Sequence, residues 1–256
     1  HFVVADNFQL PMPVEVLAVY PHAHYLGKTF ESYATLPSGE RRWLIRIPDW
    51  DQNWQAVYYY REPVDLPQDA SITMRWIYDN SASNVRNPHS PPRRVRAGNQ
   101  STDEMAHLWL QVKPLGPGDR RRELQEALME HRIDKDPTDF EANLNLGAIM
   151  LSRLNPQGAV PRLRAAVRLR PGRADAHNML GLALSITGRA VEAMLEYERA
   201  LRLNPGYASA RFNLANAEVK AGRLEDAIAN YRQVVESNPA DPLPRQRLAE
   251  AEKLLK

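Results

Sequence analysis

The chain has 256 residues, 43% of them hydrophobic and 25% charged, with 33 lysines and arginines against 31 acids. That length suffices for one large or two ordinary domains, and the near balance of charge excludes a general nucleic-acid binder carrying a large basic excess. No apolar run approaches the roughly 20 residues of a membrane helix, and the absence of cysteine excludes disulfides, thiolate metal sites and cysteine nucleophiles.

His1 stands directly before the strand-like "FVV", so the chain is expected to be a processed piece of a longer protein, with any targeting segment upstream. Residues 1–113 read as strands. The segments 14–20, 42–47, 56–60, 71–79 and 107–112 are short and rich in β-branched and aromatic residues, and the turn signals "LPSGE", "PDWDQN", "DLPQDA" and "DNSASN" separate them. Such spacing predicts an antiparallel sandwich of jelly-roll type. The stretch 86–98, "RNPHSPPRRVRAG", is too proline-rich for a helix or a central strand and is expected to be an ordered surface loop. Its arginines Arg93, Arg94 and Arg96 are either solvated or an anion-attracting rim.

Residues 114–120, "PLGPGDR", form a breaker cluster and the expected linker. Composition then turns to alanine, leucine, arginine and glutamate. Asp119 is a plausible cap for a helix over 120–134. Beyond it Pro137, Pro171, Pro205 and Pro239 recur, as do Gly147, Gly181 and Ala215. The interval matches the ~34-residue helix-turn-helix period. The pattern resembles a tetratricopeptide array over 121–256, with repeats at about 138–171, 172–205 and 206–239 and a closing helix at 240–256. Small recurring residues let paired helices approach, while Leu146, Leu180, Leu214, Tyr197 and Tyr231 fill the spaces between. Asn143, Asn145, His177, Arg211 and Asn213 fall on the first helix of each unit, where they are candidates for a groove that holds a protein or peptide partner.

In the first domain, His22 and His24 end an apolar run two residues apart. Strand alternation places both imidazoles on one side, and Met105 precedes another strand. Two imidazoles with a thioether favour copper over zinc or magnesium, although a zinc site completed by an oxygen ligand is a further option. Asp103 and Glu104 are expected to fix the loop by accepting backbone hydrogen bonds.

"HAHYLGK" followed later by "STDEM" and an apolar strand resembles the second copper domain of the copper type II, ascorbate-dependent monooxygenases, over most of residues 12–112. The resemblance implies that His22, His24 and Met105 bind the copper at which oxygen is activated to hydroxylate an organic substrate, with ascorbate or another reductant supplying electrons. It also implies export to the periplasm or beyond the cell. Where the peptide-hydroxylating member holds its substrate carboxylate, this chain has Tyr20, His107 and Trp109, which implies a substrate other than a peptidylglycine. Tyr20 and Trp109 are candidates for the substrate wall or for sheet core. His107 is a candidate copper ligand, a donor to a ligand, or a surface histidine. The family's electron-transfer copper domain and its disulfides have no counterpart in these residues. The alternative is a non-catalytic copper-binding or structural scaffold that acts through its repeats.

Overall fold

The computed structural model describes residues 2–96 and 103–255. Contacts divide the chain into two units, one ending at Leu128 and the other beginning at Met129. Among the described residues the first unit carries strands β1 (Phe2–Gln9), β2 (Val14–His22), β3 (Gly27–Thr35), β4 (Arg41–Ile47), β5 (Tyr58–Leu66), β6 (Ser71–Tyr78) and β7 (His107–Pro114), with a 3-10 turn at Gln52–Trp54. They form two antiparallel sheets ordered β1-β6-β3-β4 and β5-β2-β7.

The sheets share a core. Val14 and Val16 from β2, Ala34 from β3, Leu44 from β4, Leu66 from β5 and Ile72 from β6 lie in one buried cluster, the face-to-face burial that makes a sandwich. A second cluster at the other end joins Ala23, Leu26, Phe30, Trp50, Trp76 and Tyr78, with Trp50 and Trp76 packed edge to face at 4.9 Å between centroids. Strand β3 was not visible as an apolar run. Its inward positions include Ser32 and Ala34, both fully buried, and small or polar residues dilute the alternation that sequence patterns rely on. Strand β5 starts at Tyr58 and continues to Leu66, through part of the segment that reads as a turn. Residues 79–96 contain neither helix nor strand, and the part of the loop at 97–98 lies outside the described residues.

A bulge in β2 decides which way the histidines point. Val14 and Val16 are fully buried, and strict alternation would send His22 to that same inner face. Register against both neighbouring strands shifts between Val16 and Ala18. The extra residue inverts the parity, so that Val19 and Pro21 are buried while Tyr20 and His22 are not.

The helical run begins with α1 (Arg121–Lys135), where Asp119 accepts the Arg121 N–H at 3.1 Å. Three antiparallel pairs follow: α2 (Phe140–Ser152) with α3 (Pro156–Leu169), α4 (Ala174–Ile186) with α5 (Ala190–Leu203), and α6 (Ala208–Lys220) with α7 (Leu224–Ser237). Helix α8 (Pro242–Leu254) closes the array. The glycines mark close contacts between the helices of a pair. A Cβ on Gly147 would lie 2.5 Å from Leu163 Cγ, and one on Gly181 would lie 2.6 Å from the Tyr197 ring. The turns within the pairs need a left-handed residue, supplied by Gly188 and Gly222 in two of them and by Leu154, at φ 57°, in the first.

Candidate functional site

Strand pairing assembles the histidines. His22, the last residue of β2, lies directly opposite His107, the first of β7, and Tyr20 lies opposite Trp109. Directly opposed residues project from the same face, and Trp109 is 63% exposed there while Leu108, Leu110 and Val112 turn inward. The His22 ring lies 5.2 Å from that of His24 and 6.0 Å from that of His107. The His107 ring is edge-on to Trp109 at 6.4 Å. The wall candidates Tyr20 and Trp109 thus lie on the outer sheet face rather than in the core.

His24 follows the strand and is buried, 5% exposed. Its Nδ1 lies 2.9 Å from the Asp103 carbonyl oxygen. A carbonyl only accepts, so Nδ1 carries a proton, and in the neutral ring Nε2 keeps its lone pair. This is the arrangement by which an outer hydrogen bond fixes the tautomer of a metal-binding imidazole. Burial lowers the pKa of His22, helped by the nearby His24 and His107 and opposed by a hydrogen bond with Gln55. Burial and then His24 lower that of His107. Both rings are therefore biased toward the neutral, ligating form near pH 7.

Glu104 connects the two sequence stretches. Its buried carboxylate accepts the N–H of Leu26 at 2.6 Å and that of His24 at 3.2 Å. Burial raises its pKa, and those N–H groups oppose the rise. Its own N–H donates to the Arg96 carbonyl at 3.0 Å. The Tyr78 hydroxyl donates to the Met105 carbonyl, so Met105 is tied to β6 through its backbone. Met105 itself sits two residues before β7 and is partly buried.

Two imidazoles and a thioether are ligand types that suit a soft or borderline metal. Among the described residues no three His, Cys, Asp or Glu side chains are positioned together to hold an ion, so the two imidazoles need a donor of another kind or a ring that moves. A thioether from Met105 is a donor of another kind, and its pairing with imidazoles fits copper. The arginines Arg93, Arg94 and Arg96 are exposed, and the Arg93 carbonyl accepts from Asn80 at 2.8 Å.

In the repeats, the five candidate groove residues separate. Asn143 and His177 are 2% and 4% exposed and bond to the carbonyls of Pro137 and Pro171, at 3.2 and 2.9 Å. Arg211 and Arg245 make the same bond to Pro205 and Pro239. One repeat position thus ties the first helix of each unit to the preceding turn; Asn143 and His177 are buried there, while Arg211 is partly exposed. His177 also places Nδ1 2.6 Å from Glu196. Acceptors facing both nitrogens favour the protonated ring, and its pKa is raised, chiefly by Glu196.

Asn145, two positions on, is exposed. Its counterparts by the same spacing, Asn213 and Arg247, line a groove of about 490 Å³ together with Ile186, Phe212, Lys220 and Leu254. Asn213 is among the residues the sequence singles out, whereas the apolar residues beside it are not. Ile186 and Leu254 are exposed, and each sits at a helix end outside the recurring core positions, a deviation visible in the pattern only after the repeats are aligned.

No characterised protein sequence matches the chain. Profiles described as tetratricopeptide repeat match residues 144–208 and 184–251. Two crystal structures of MamA are similar to it at a TM-score of 0.50 and 24% identity, each over 52% of this chain and over 77% and 72% of their own. That likeness concerns the fold. Profile matches, helix pairing and the recurring proline bond agree that residues 144–251 are tetratricopeptide repeats.

Proposed function

We propose that the chain is an interaction scaffold whose repeats take a protein segment into the groove beside Asn213, with a copper-binding β-sandwich attached. The observation that carries this reading is the repeat array itself, with apolar residues left exposed at Ile186 and Leu254 beside polar ones at Asn213, Lys220 and Arg247. That mixture supports capture of an amphipathic segment. A photo-crosslinking residue at Asn213 is expected to trap a partner that the same residue at exposed Gln157 does not. Equal yields at both positions, or adducts at neither, would remove the groove from the reading.

The second reading is a copper monooxygenase with jelly-roll connectivity, acting on an organic substrate outside the reducing cytosol. It is supported by His22, His24 and the Glu104 tether that brings the Met105 segment to them. Bound copper would supply a centre that changes oxidation state and takes up oxygen, with ascorbate or another reductant as electron source. His24 would bind through Nε2 while Asp103 holds its other nitrogen, and Tyr78 would fix the backbone of Met105. Oxygen uptake coupled to a hydroxylated product by the copper-loaded chain with ascorbate, lost in His24→Ala, is the expected result. Uptake equal in both proteins would sink it.

A further inference from the structure

We propose that the groove between α4, α6 and α8 takes an acidic peptide segment, with a carboxylate seated on Lys220 and an apolar side chain on either side of it. The inference rests on the scaffold reading above and gives the captured segment its chemistry. The last residue of each first helix, and of the closing helix α8, occupies one repeat position: Ser152, Ile186, Lys220 and Leu254. The last three of these line the groove. A cation therefore lies between two exposed apolar side chains, Ile186 at 57% and Leu254 at 65%, and the ligand that complements such a row carries an acid between two apolar residues.

The cation is free for a ligand. Lys220 is exposed and forms no hydrogen bond or ion pair among the described residues. Arg247, the other cation of the lining, donates to Glu250 at 2.9 Å, which leaves one positive charge uncompensated. A lysine in the last turn of a helix commonly serves the carbonyl end of the helix dipole. Helices α2 and α4 have no basic residue in that turn, so the repeat does not require one. The groove also offers bonds that suit a peptide backbone. Asn213 gives its Nδ2 to Asn178 at 3.0 Å, and Asn216 accepts the Tyr231 hydroxyl at 2.7 Å. Each amide keeps its other end, an acceptor on Asn213 and a donor on Asn216, and those two ends match the N–H and C=O of a peptide.

A random peptide library displayed on phage tests this on the full chain, on Lys220→Glu and on the double variant Ile186→Ser with Leu254→Ser, all of whose altered residues are exposed. Enriched peptides are then remeasured by fluorescence anisotropy. Wild type is expected to enrich sequences with Asp or Glu between apolar residues, and Lys220→Glu to enrich Lys or Arg at that place. A peptide selected on wild type should bind Lys220→Glu at least about fivefold more weakly, because a lost attraction becomes a repulsion of similar size. A swapped preference shows at the same time that the variant is folded. If the enriched peptides lose affinity for the double variant yet carry no acidic preference and bind Lys220→Glu unchanged, the acidic occupant is wrong and the groove reading survives. Peptides indifferent to both variants, or no enrichment at all, would overturn both.

Discussion

The carboxylate of Glu104 accepts the backbone N–H of Leu26 at 2.6 Å across 78 positions of sequence. With its second bond to the N–H of His24, it joins the turn after β2 to the segment that carries Met105. Neither strand pairing nor core packing makes that connection at these atoms. The Asp103 carbonyl, 2.9 Å from Nδ1 of His24, is a second tie between the same two segments.

Replacing Glu104 tests the first tie. Glu104→Ala leaves two N–H groups without their acceptor, at about 1–3 kcal/mol for each one that stays buried, so a loss of roughly 2–6 kcal/mol is expected in urea unfolding followed by tryptophan fluorescence. Glu104→Gln keeps an acceptor oxygen and should lose less. Equal losses would mean that charge, not the hydrogen-bond geometry, holds the turn.

The His177–Glu196 contact predicts a pH dependence in the repeats. The folded pKa of His177 is raised above its unfolded value of about 6.5. Its stabilisation is thus fully present below that unfolded value and is lost as pH rises through the folded one. His177→Asn, which reproduces the residue found at position 143, keeps a donor for the Pro171 carbonyl and loses the charge. Thermal melts should show it less stable than wild type by about 1–3 kcal/mol at pH 6, with the gap narrowing by pH 9. A gap independent of pH would contradict the assigned protonation.

Gly181→Ala separates helix propensity from packing. Alanine is favoured over glycine by up to about 1 kcal/mol in a helix, yet the added Cβ would lie 2.6 Å from the Tyr197 ring. That ring is 1% exposed and wedged into the core, so overpacking at about 1–3 kcal/mol should win. Denaturant midpoints will show a net loss. A gain would mean that the α4–α5 pair opens more easily than its contacts imply.

Leu154 offers the opposite sign. It occupies the left-handed turn position that Gly188 and Gly222 fill in the later pairs, and its side chain is 90% exposed, so it contributes little packing. A left-handed conformation costs an L-residue about 1–2 kcal/mol, partly offset by the greater unfolded freedom of glycine. Leu154→Gly should raise stability by about 0.5–1 kcal/mol. An unchanged or lowered midpoint would show that the leucine is anchored by something beyond its backbone.

The helical half was largely legible from its residues. Pro137, Pro171, Pro205 and Pro239, with the small residues at 147, 181 and 215, state a period, and a period of this length is one stacked helix pair. The use of the residues between them was less legible. Asn143, His177 and Arg211 are three different side chains at one repeat position, so they look like variable groove residues. Only the geometry shows that each reaches back to the carbonyl of the proline six residues earlier.

For the sandwich, sequence alone determined that His22 and His24 sit at a strand end, that Met105 precedes another, and that both strands carry an apolar face. Those features are local, and alternation transmits them directly. The direction in which His22 points, and which histidine it faces, belonged to the tertiary structure. A single added residue between Val16 and Ala18 inverts the face of everything after it, and no composition rule marks where a strand will bulge. Register with β7 then set His107 opposite His22, because hydrogen bonding between strands distant in sequence fixes that pairing and side-chain pattern leaves it open.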